Sequence, residues 1–213
     1  MKLVIFGATG FSGRAILQAA LAKGYQTTVL VRNASGIPMQ HNLLTVIEGN
    51  VLDRHDVKKA LENQDAVIQC LGVGGKGTGK PTTLLSEANK VIMEEMESLN
   101  ISRFIVMSNV GAGNSIAFLP WFFAKIILPY FMRWLYVIID DKNRMEPLIM
   151  SSDLNWTIVR CPNIVDKRPK GNVLATLDGK GLKLSVTLGD MAEFMVQQIT
   201  DSSFSRQAPS ISN

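Results

Sequence analysis

Only two cysteines occur in the 213 residues, Cys70 and Cys161, and their separation of 91 residues suits neither a disulfide framework nor a metal-ligand spacing. Their scarcity fits a reducing, cytoplasmic compartment, and no metal site is expected. Histidine is equally scarce. His41 and His55 fall in expected surface segments, so a serine or cysteine nucleophile finds no evident base. Charged residues make up 19% of the chain, below the ~25% usual for soluble domains. The net charge of +4 is a scattered surplus of 22 basic over 18 acidic residues. With no basic stripe or cluster, nucleic acid is not an expected partner. Long apolar runs are missing at the start as well. Four apolar residues at 3–6 follow Lys2 and stop at Gly7, short of the roughly 7–15 that a secretory signal needs. No Pro/Gly/Ser-rich linker and no repeat interrupts the chain, and its length predicts one domain spanning 1–213 with a lid or insertion at about 115–139.

What is present alternates. Short β-branched runs at 2–6, 26–32, 44–48, 65–71, 102–108 and 156–160 are expected strands, and segments near 11–23, 53–63, 82–99 and 140–151 are expected helices. In 11–23, Ile16, Leu17, Ala20 and Leu21 share one helical face. Strands separated by helices of this length predict an α/β fold, a Rossmann-type doubly wound parallel sheet with a small C-terminal extension. Such sheets bind ligands beyond the carboxyl ends of their strands. The last forty residues break the pattern: strands are expected at 173–176 and 182–186 around an Asp178-Gly179 turn. Thr187 and Asp190 then resemble a capping arrangement opening a final helix. The tail after Ser202 is polar and is expected to fray.

Directly after the first strand stands Gly7-Ala8-Thr9-Gly10-Phe11-Ser12-Gly13, opening the first helix. Glycines there allow a tight turn, close approach of backbone to a pyrophosphate, and close helix-to-strand packing. The helix start adds free N–H groups and a positive dipole end. Nineteen residues after Gly13, where an NAD-type unit carries an acidic residue for the ribose, this chain has Arg32. A guanidinium pairs with a 2′-phosphate through two donors, so NADP(H) is the expected cofactor, the other reading being a solvated arginine at a strand end.

These residues resemble the atypical short-chain dehydrogenases of the NAD(P)H-binding, NmrA-like type, and within them the biliverdin-IXβ reductase or flavin reductase type. The likeness runs through Ile5-Phe6-Gly7-Ala8-Thr9-Gly10, Val29 to Arg32, Gln64 to Ile68, Pro81-Thr82-Thr83, Asp140-Asp141 with Arg144-Met145, and Thr176 to Gly179. The resemblance implies that Gly7, Thr9, Gly10, Phe11, Ser12 and Gly13 surround the pyrophosphate and that Arg32 faces the adenosine 2′-phosphate. By the same resemblance Asn50 and Val51 meet adenine, Leu71 and Gly72 flank the ribose, and Ser108 and Asn109 stand beside the nicotinamide. Cys161, Pro162 and Ile164 would line the nicotinamide end.

One departure bears on mechanism. Typical short-chain dehydrogenases use Tyr-x-x-x-Lys; Lys142 matches the lysine, but Ile138 stands four residues before it. Tyr136 is two positions off, about 200° away around a helix. Lys142 is read either as that lysine or as a surface residue paired with Glu146. Ser108 is expected to be a hydrogen-bond donor to cofactor or substrate, and the implied chemistry is hydride transfer to a planar conjugated acceptor such as a flavin, quinone or tetrapyrrole. A non-catalytic NADP(H)-binding redox sensor of the NmrA-like kind is the alternative. A sugar-nucleotide epimerase is disfavoured by the short C-terminal part and the missing tyrosine.

The remaining feature is local. Residues 117–139 hold 19 apolar residues in 23 and 8 of the 15 Phe, Trp and Tyr. Pro120, Lys125, Pro129 and Arg133 argue against a membrane span, and two short helices broken at Pro129 are expected. The segment is read as a substrate wall, an interface of a homodimer or partner, a membrane-surface contact, or packing of an enlarged core; the chain itself is read as monomer or homodimer.

Overall fold

The computed structural model describes residues 1–73 and 79–213. Its frame is an eight-stranded sheet built from β1 (Lys2–Phe6), β2 (Gln26–Val31), β3 (Leu44–Glu48), β4 (Ala66–Gln69), β5 (Arg103–Asn109), β6 (Asn155–Cys161), β8 (Leu174–Thr176) and β10 (Ser210–Ser212). The order across the sheet is β3-β2-β1-β4-β5-β6-β10-β8, parallel throughout except where β8 runs against β10. β7 (Asn163–Val165) and β9 (Ser185–Thr187) form a separate parallel pair. This is the Rossmann-type arrangement expected from the alternation; the ends of the expected strands shift by up to three residues, and β7 and β10 lie outside them.

Both sheet faces are covered because the central strands are apolar on both sides. Along β1, Leu3 and Ile5 pack under α1 (Phe11–Ala22) and α5 (Leu188–Gln197), whereas Val4 and Phe6 pack under α2 (Arg54–Leu61), α3 (Leu84–Ser98) and α4 (Arg133–Met150). Local chemistry sets the helix starts. Asp53 caps α2 by accepting from the N–H groups of His55 and Asp56 at 2.8 and 3.2 Å. α3 is capped by another helix: the Asp141 carboxylate of α4 accepts from Leu85 N–H at 2.7 Å and from the Ser86 hydroxyl at 2.6 Å. That contact fixes α4 against α3 at full burial of Asp141.

Three expectations are corrected. The C-terminal tail does not fray: β10 inserts between β6 and β8, with Ile211 fully buried. Its pairing is a backbone property, so a Ser-rich sequence conceals it. Thr187 is the N-cap of α5, as expected, but its side chain makes no capping bond to the helix backbone. Thr187 donates its hydroxyl proton to Asp190, which also accepts from the N–H groups of Lys170 and Gly171, while Thr187 N–H is held by the Asn213 side chain. Asp190 thus ties a loop and the chain end to α5. Third, the aromatic stretch does not break at Pro129. A π-helix spans Phe123–Phe131 through Pro129, and α4 begins at Arg133, seven residues before the expected start. Proline lacks an N–H and its ring crowds the carbonyl four residues back; widening the turn relieves both, and Met132 N–H reaches the Ile127 carbonyl five residues back. Among the described residues, no helix is long and apolar enough to cross a membrane.

Candidate cofactor and active site

The carboxyl ends of β1, β2, β4, β5 and β6 converge on one edge of the sheet, and the residues singled out from the sequence lie there. At the end of β1, Gly7 takes φ +97°, and a Cβ on it would come within 2.6 Å of the Cys70 carbonyl oxygen. A Cβ on Gly13 would stand 2.0 Å from the Gly7 carbonyl oxygen. These two glycines therefore let β1, β4 and α1 close on one another. Gly10 serves differently: it is the N-cap of α1 and offers no side-chain cap, so the helix start keeps unpaired N–H groups facing outward. Thr9, Gly10 and Phe11 are exposed and Ser12 half-buried around that start. Among the described residues, a Cβ on Gly72, after β4, would meet nothing within 4 Å. A cradle with free N–H groups and a positive dipole end fits a pyrophosphate.

Arg32 is exposed, one residue beyond β2, and has no hydrogen-bond or ion-pair partner among the described residues. The turn after it is rigid: Asn33 accepts from Ser35 N–H at 2.9 Å, and Glu48 at the end of β3 accepts from Ala34 N–H at 3.0 Å. Gly36 of that turn packs onto Thr9, which brings the Arg32 turn beside the glycine turn. Sequence reasoning missed Arg14. Its Nε donates to the Thr9 carbonyl at 3.1 Å, bracing the turn and adding a second exposed guanidinium beside it. At the end of β3, the Asn50 side-chain oxygen accepts from Leu52 N–H at 3.1 Å, leaving its amide NH2 as donor, and Val51 is half-buried against the core.

The other half of the edge is less polar than the sequence suggested. Cys70 and Cys161 are buried core residues, and burial pushes both thiols up to about 12, partly offset by the Lys142 ammonium. Both are inert as nucleophiles. Lys142 is buried and its Nζ donates to the Met107 carbonyl of β5 at 3.3 Å; it is not a surface residue paired with Glu146. Burial lowers its pKa from 10.5 to about 8 against the favourable pull of Cys161, Glu146, Asp141 and Cys70. Leu71 is half-buried with its N–H held by the Gln69 side chain at 3.0 Å. Asn109, Pro162 and Ile164 are half-buried around the ends of β5, β6 and β7.

Ser108 is where the expectation changes sense. Its hydroxyl is buried and donates to Glu146 Oε1 at 2.6 Å, so its oxygen is left only to accept. Glu146 is held in turn by Arg160, whose Nη2 and Nε donate to its two oxygens at 2.7 and 3.2 Å, while Arg160 Nη1 donates to Asn114 at 2.7 Å. Arg160 is 2% exposed and Glu146 1%. The Ser108–Glu146–Arg160–Asn114 chain joins β5, α4, β6 and the turn Gly113–Phe118 under the site. Among the described residues, no cluster of His, Cys, Asp or Glu is placed to hold a metal ion.

Lys142 carries a pH-dependent prediction. Its folded-state pKa lies below the unfolded value, so between pH 8 and 10.5 the unfolded chain binds the extra proton and this residue makes stability rise with pH. Lys142→Met, which keeps the apolar stem, is expected to exceed the wild type in urea midpoint most below pH 8. That margin should shrink steadily towards pH 10.5; a margin constant across the range would contradict a charged, buried Lys142.

Comparison with known proteins agrees with the fold and gives the family. A sequence model of the NAD(P)H-binding family matches residues 7–202. The UPF0659 protein YMR090W of Saccharomyces cerevisiae is 25% identical over 93% of this chain and 87% of that one. Two solved structures superpose over the whole chain. ChuY, an anaerobillin reductase from Escherichia coli O157:H7, has a TM-score of 0.79 at 20% identity over 97% of its length. A short-chain dehydrogenase/reductase from Veillonella parvula, solved with NADP, has a TM-score of 0.79 at 18% identity over 94% of its length. With its glycine cradle at the carboxyl edge of a doubly wound sheet, and with nearly its full length matched, this chain belongs to the NAD(P)H-binding family.

Proposed function

We propose that the protein is an NADPH-dependent reductase of a planar conjugated acceptor, a flavin, quinone or tetrapyrrole, working without a tyrosine acid. The observation that carries the reading is a buried Lys142 at the carboxyl end of β5 with the aliphatic Ile138 one turn before it. Tyr136, the nearest tyrosine in sequence, is exposed. Ser108 cannot replace it, because its proton is committed to Glu146. A site with no tyrosine acid among the described residues suits acceptors that delocalise the added electron pair, whereas an isolated carbonyl needs a proton delivered as it is reduced. Likeness of fold to an anaerobillin reductase and to an NADP-bound dehydrogenase supports the same choice.

In this reading the chain binds and orients. Gly7, Thr9, Gly10, Phe11, Ser12 and Gly13 present backbone N–H groups to the pyrophosphate, braced by Arg14, and Arg32 pairs with the 2′-phosphate. Asn50 donates to adenine beside Val51, and Leu71 and Gly72 flank a ribose. Lys142 holds a proton at Nζ near the nicotinamide side, where Ser108, Asn109, Cys161, Pro162 and Ile164 form a largely apolar wall that limits water. Bound NADPH supplies the hydride; alignment by the protein supplies most of the acceleration. Steady-state oxidation of NADPH with flavin mononucleotide, menadione and biliverdin tests this. Turnover with at least one is expected, whereas tight NADPH binding with no turnover on any acceptor would overturn it and favour the sensor.

A further inference from the structure

Helices on a protein surface normally turn their aromatic side chains inward, and the segment 121–131 does the reverse. Its exposed residues fall in pairs, Trp121 and Phe122, Lys125 and Ile126, Tyr130 and Phe131, repeating every four to five residues as the widened π-helical turn requires. They share one face. Trp121 is 71% exposed, Tyr130 78% and Phe131 75%, while Leu128 on the opposite side is 2% exposed and anchors the segment to Ala112 and Ile139. Leaving this much aromatic surface in water forgoes the hydrophobic gain of burying it, which marks a contact surface.

Charge narrows what covers it. Residues 98–139 contain no aspartate or glutamate, a gap of 42 positions, whereas Lys125 lies on the exposed face itself and Arg133 follows it. Asp140, which ends the gap, is ion-paired to Arg144 at 2.6 Å, and Asp178, beside the Gly179 that packs on Phe118, to Lys180 at 3.1 Å. A two-fold contact with a second copy would face this cationic patch with its own image and supply no carboxylate from the stretch. We propose that the face Trp121–Phe131 docks on an anionic lipid surface, with Trp121 and Tyr130 at headgroup depth, Phe122, Ile126 and Phe131 below them, and Lys125 and Arg133 against lipid phosphates. The segment follows β5, so docking holds the Ser108–Asn109 edge of the sheet towards the bilayer. This inference is independent of which acceptor is reduced.

Flotation of the full-length protein with vesicles of phosphatidylcholine alone and of phosphatidylcholine with phosphatidylglycerol tests it. Binding to the anionic vesicles is expected, weakening with added salt, with a blue shift of tryptophan emission that disappears in Trp121→Phe. Lys125→Gln and Arg133→Gln should each weaken partitioning about fivefold. Trp121→Ser with Phe131→Ser should weaken it more than tenfold while circular dichroism and NADPH affinity stay as in the wild type. Three results would overturn the proposal: no binding to anionic vesicles, equal binding to neutral and anionic ones, or a solution dimer that the Trp121→Ser, Phe131→Ser variant dissociates.

Discussion

Arg32→Ala is expected to raise the dissociation constant of NADPH by roughly 10- to 100-fold, the value of a charge-assisted contact to a phosphate, while leaving that of NADH unchanged. The guanidinium lies one residue past β2, exposed and without a partner among the described residues, on a turn that packs against Thr9 of the glycine cradle. Removing it therefore disturbs no internal contact, and only a ligand with a 2′-phosphate registers the loss. Arg14 provides the control. Because its Nε holds the Thr9 carbonyl of the turn that both dinucleotides share, Arg14→Ala should weaken NADPH and NADH alike. Glu48 holds the Arg32 turn through Ala34 N–H and leaves one carboxylate nearby, so Arg32→Asp should push the preference towards NADH. Fluorescence titration of both reduced dinucleotides on the three variants reads all of these outcomes. Equal losses for NADPH and NADH in Arg32→Ala would refute the phosphate role.

The second large effect is expected at Glu146. Glu146→Gln leaves a guanidinium at 2% exposure without its counter-charge, and breaking one partner of such a pair costs about 3–5 kcal/mol. In a chain of this size that lowers the melting temperature by roughly 6–20 °C. Ser108 loses its anionic acceptor at the same time, so the end of β5 loosens where the nicotinamide side is proposed to lie. Replacing both charges, Glu146→Leu with Arg160→Met, removes the uncompensated cation and should recover much of the loss, short of what Ser108 and Asn114 forfeit as partners. A melting temperature of Glu146→Gln within a degree or two of the wild type would show that the pair contributes little to the fold.

The alternation of strands and helices was readable because both faces of the sheet are buried, which makes the strands near-continuous apolar runs that glycine and polar turns punctuate. The glycine cradle was readable for a different reason: no side chain fits at Gly7 or Gly13, so the backbone geometry writes itself into residue type. Where geometry is carried by backbone pairing alone, as in β10, or by contacts across the fold, the sequence is silent. Glu146 and Arg160 lie on different elements and meet Ser108 from 38 and 52 positions away, a relation with no local spacing. One clue was present. An arginine inside the apolar strand Asn155–Cys161 demands a buried carboxylate, and the helix before it carries one. The early start of α4 was hidden because residues 133–139 are apolar on nearly every side and show no helical stripe.

Hydride delivery from a dinucleotide held at the carboxyl edge of the sheet, as proposed, is tested most directly by stereospecific isotope labelling. NADPH deuterated at the 4-pro-R or the 4-pro-S position is mixed anaerobically with the protein and a flavin or quinone acceptor, and a single turnover is followed. A primary isotope effect is expected with one diastereomer only, since the proposed wall of Cys161, Pro162 and Ile164 would leave a single face of the ring to the acceptor. Equal isotope effects with both, matching the reaction without protein, or no oxidation at all of tightly bound NADPH, would contradict it.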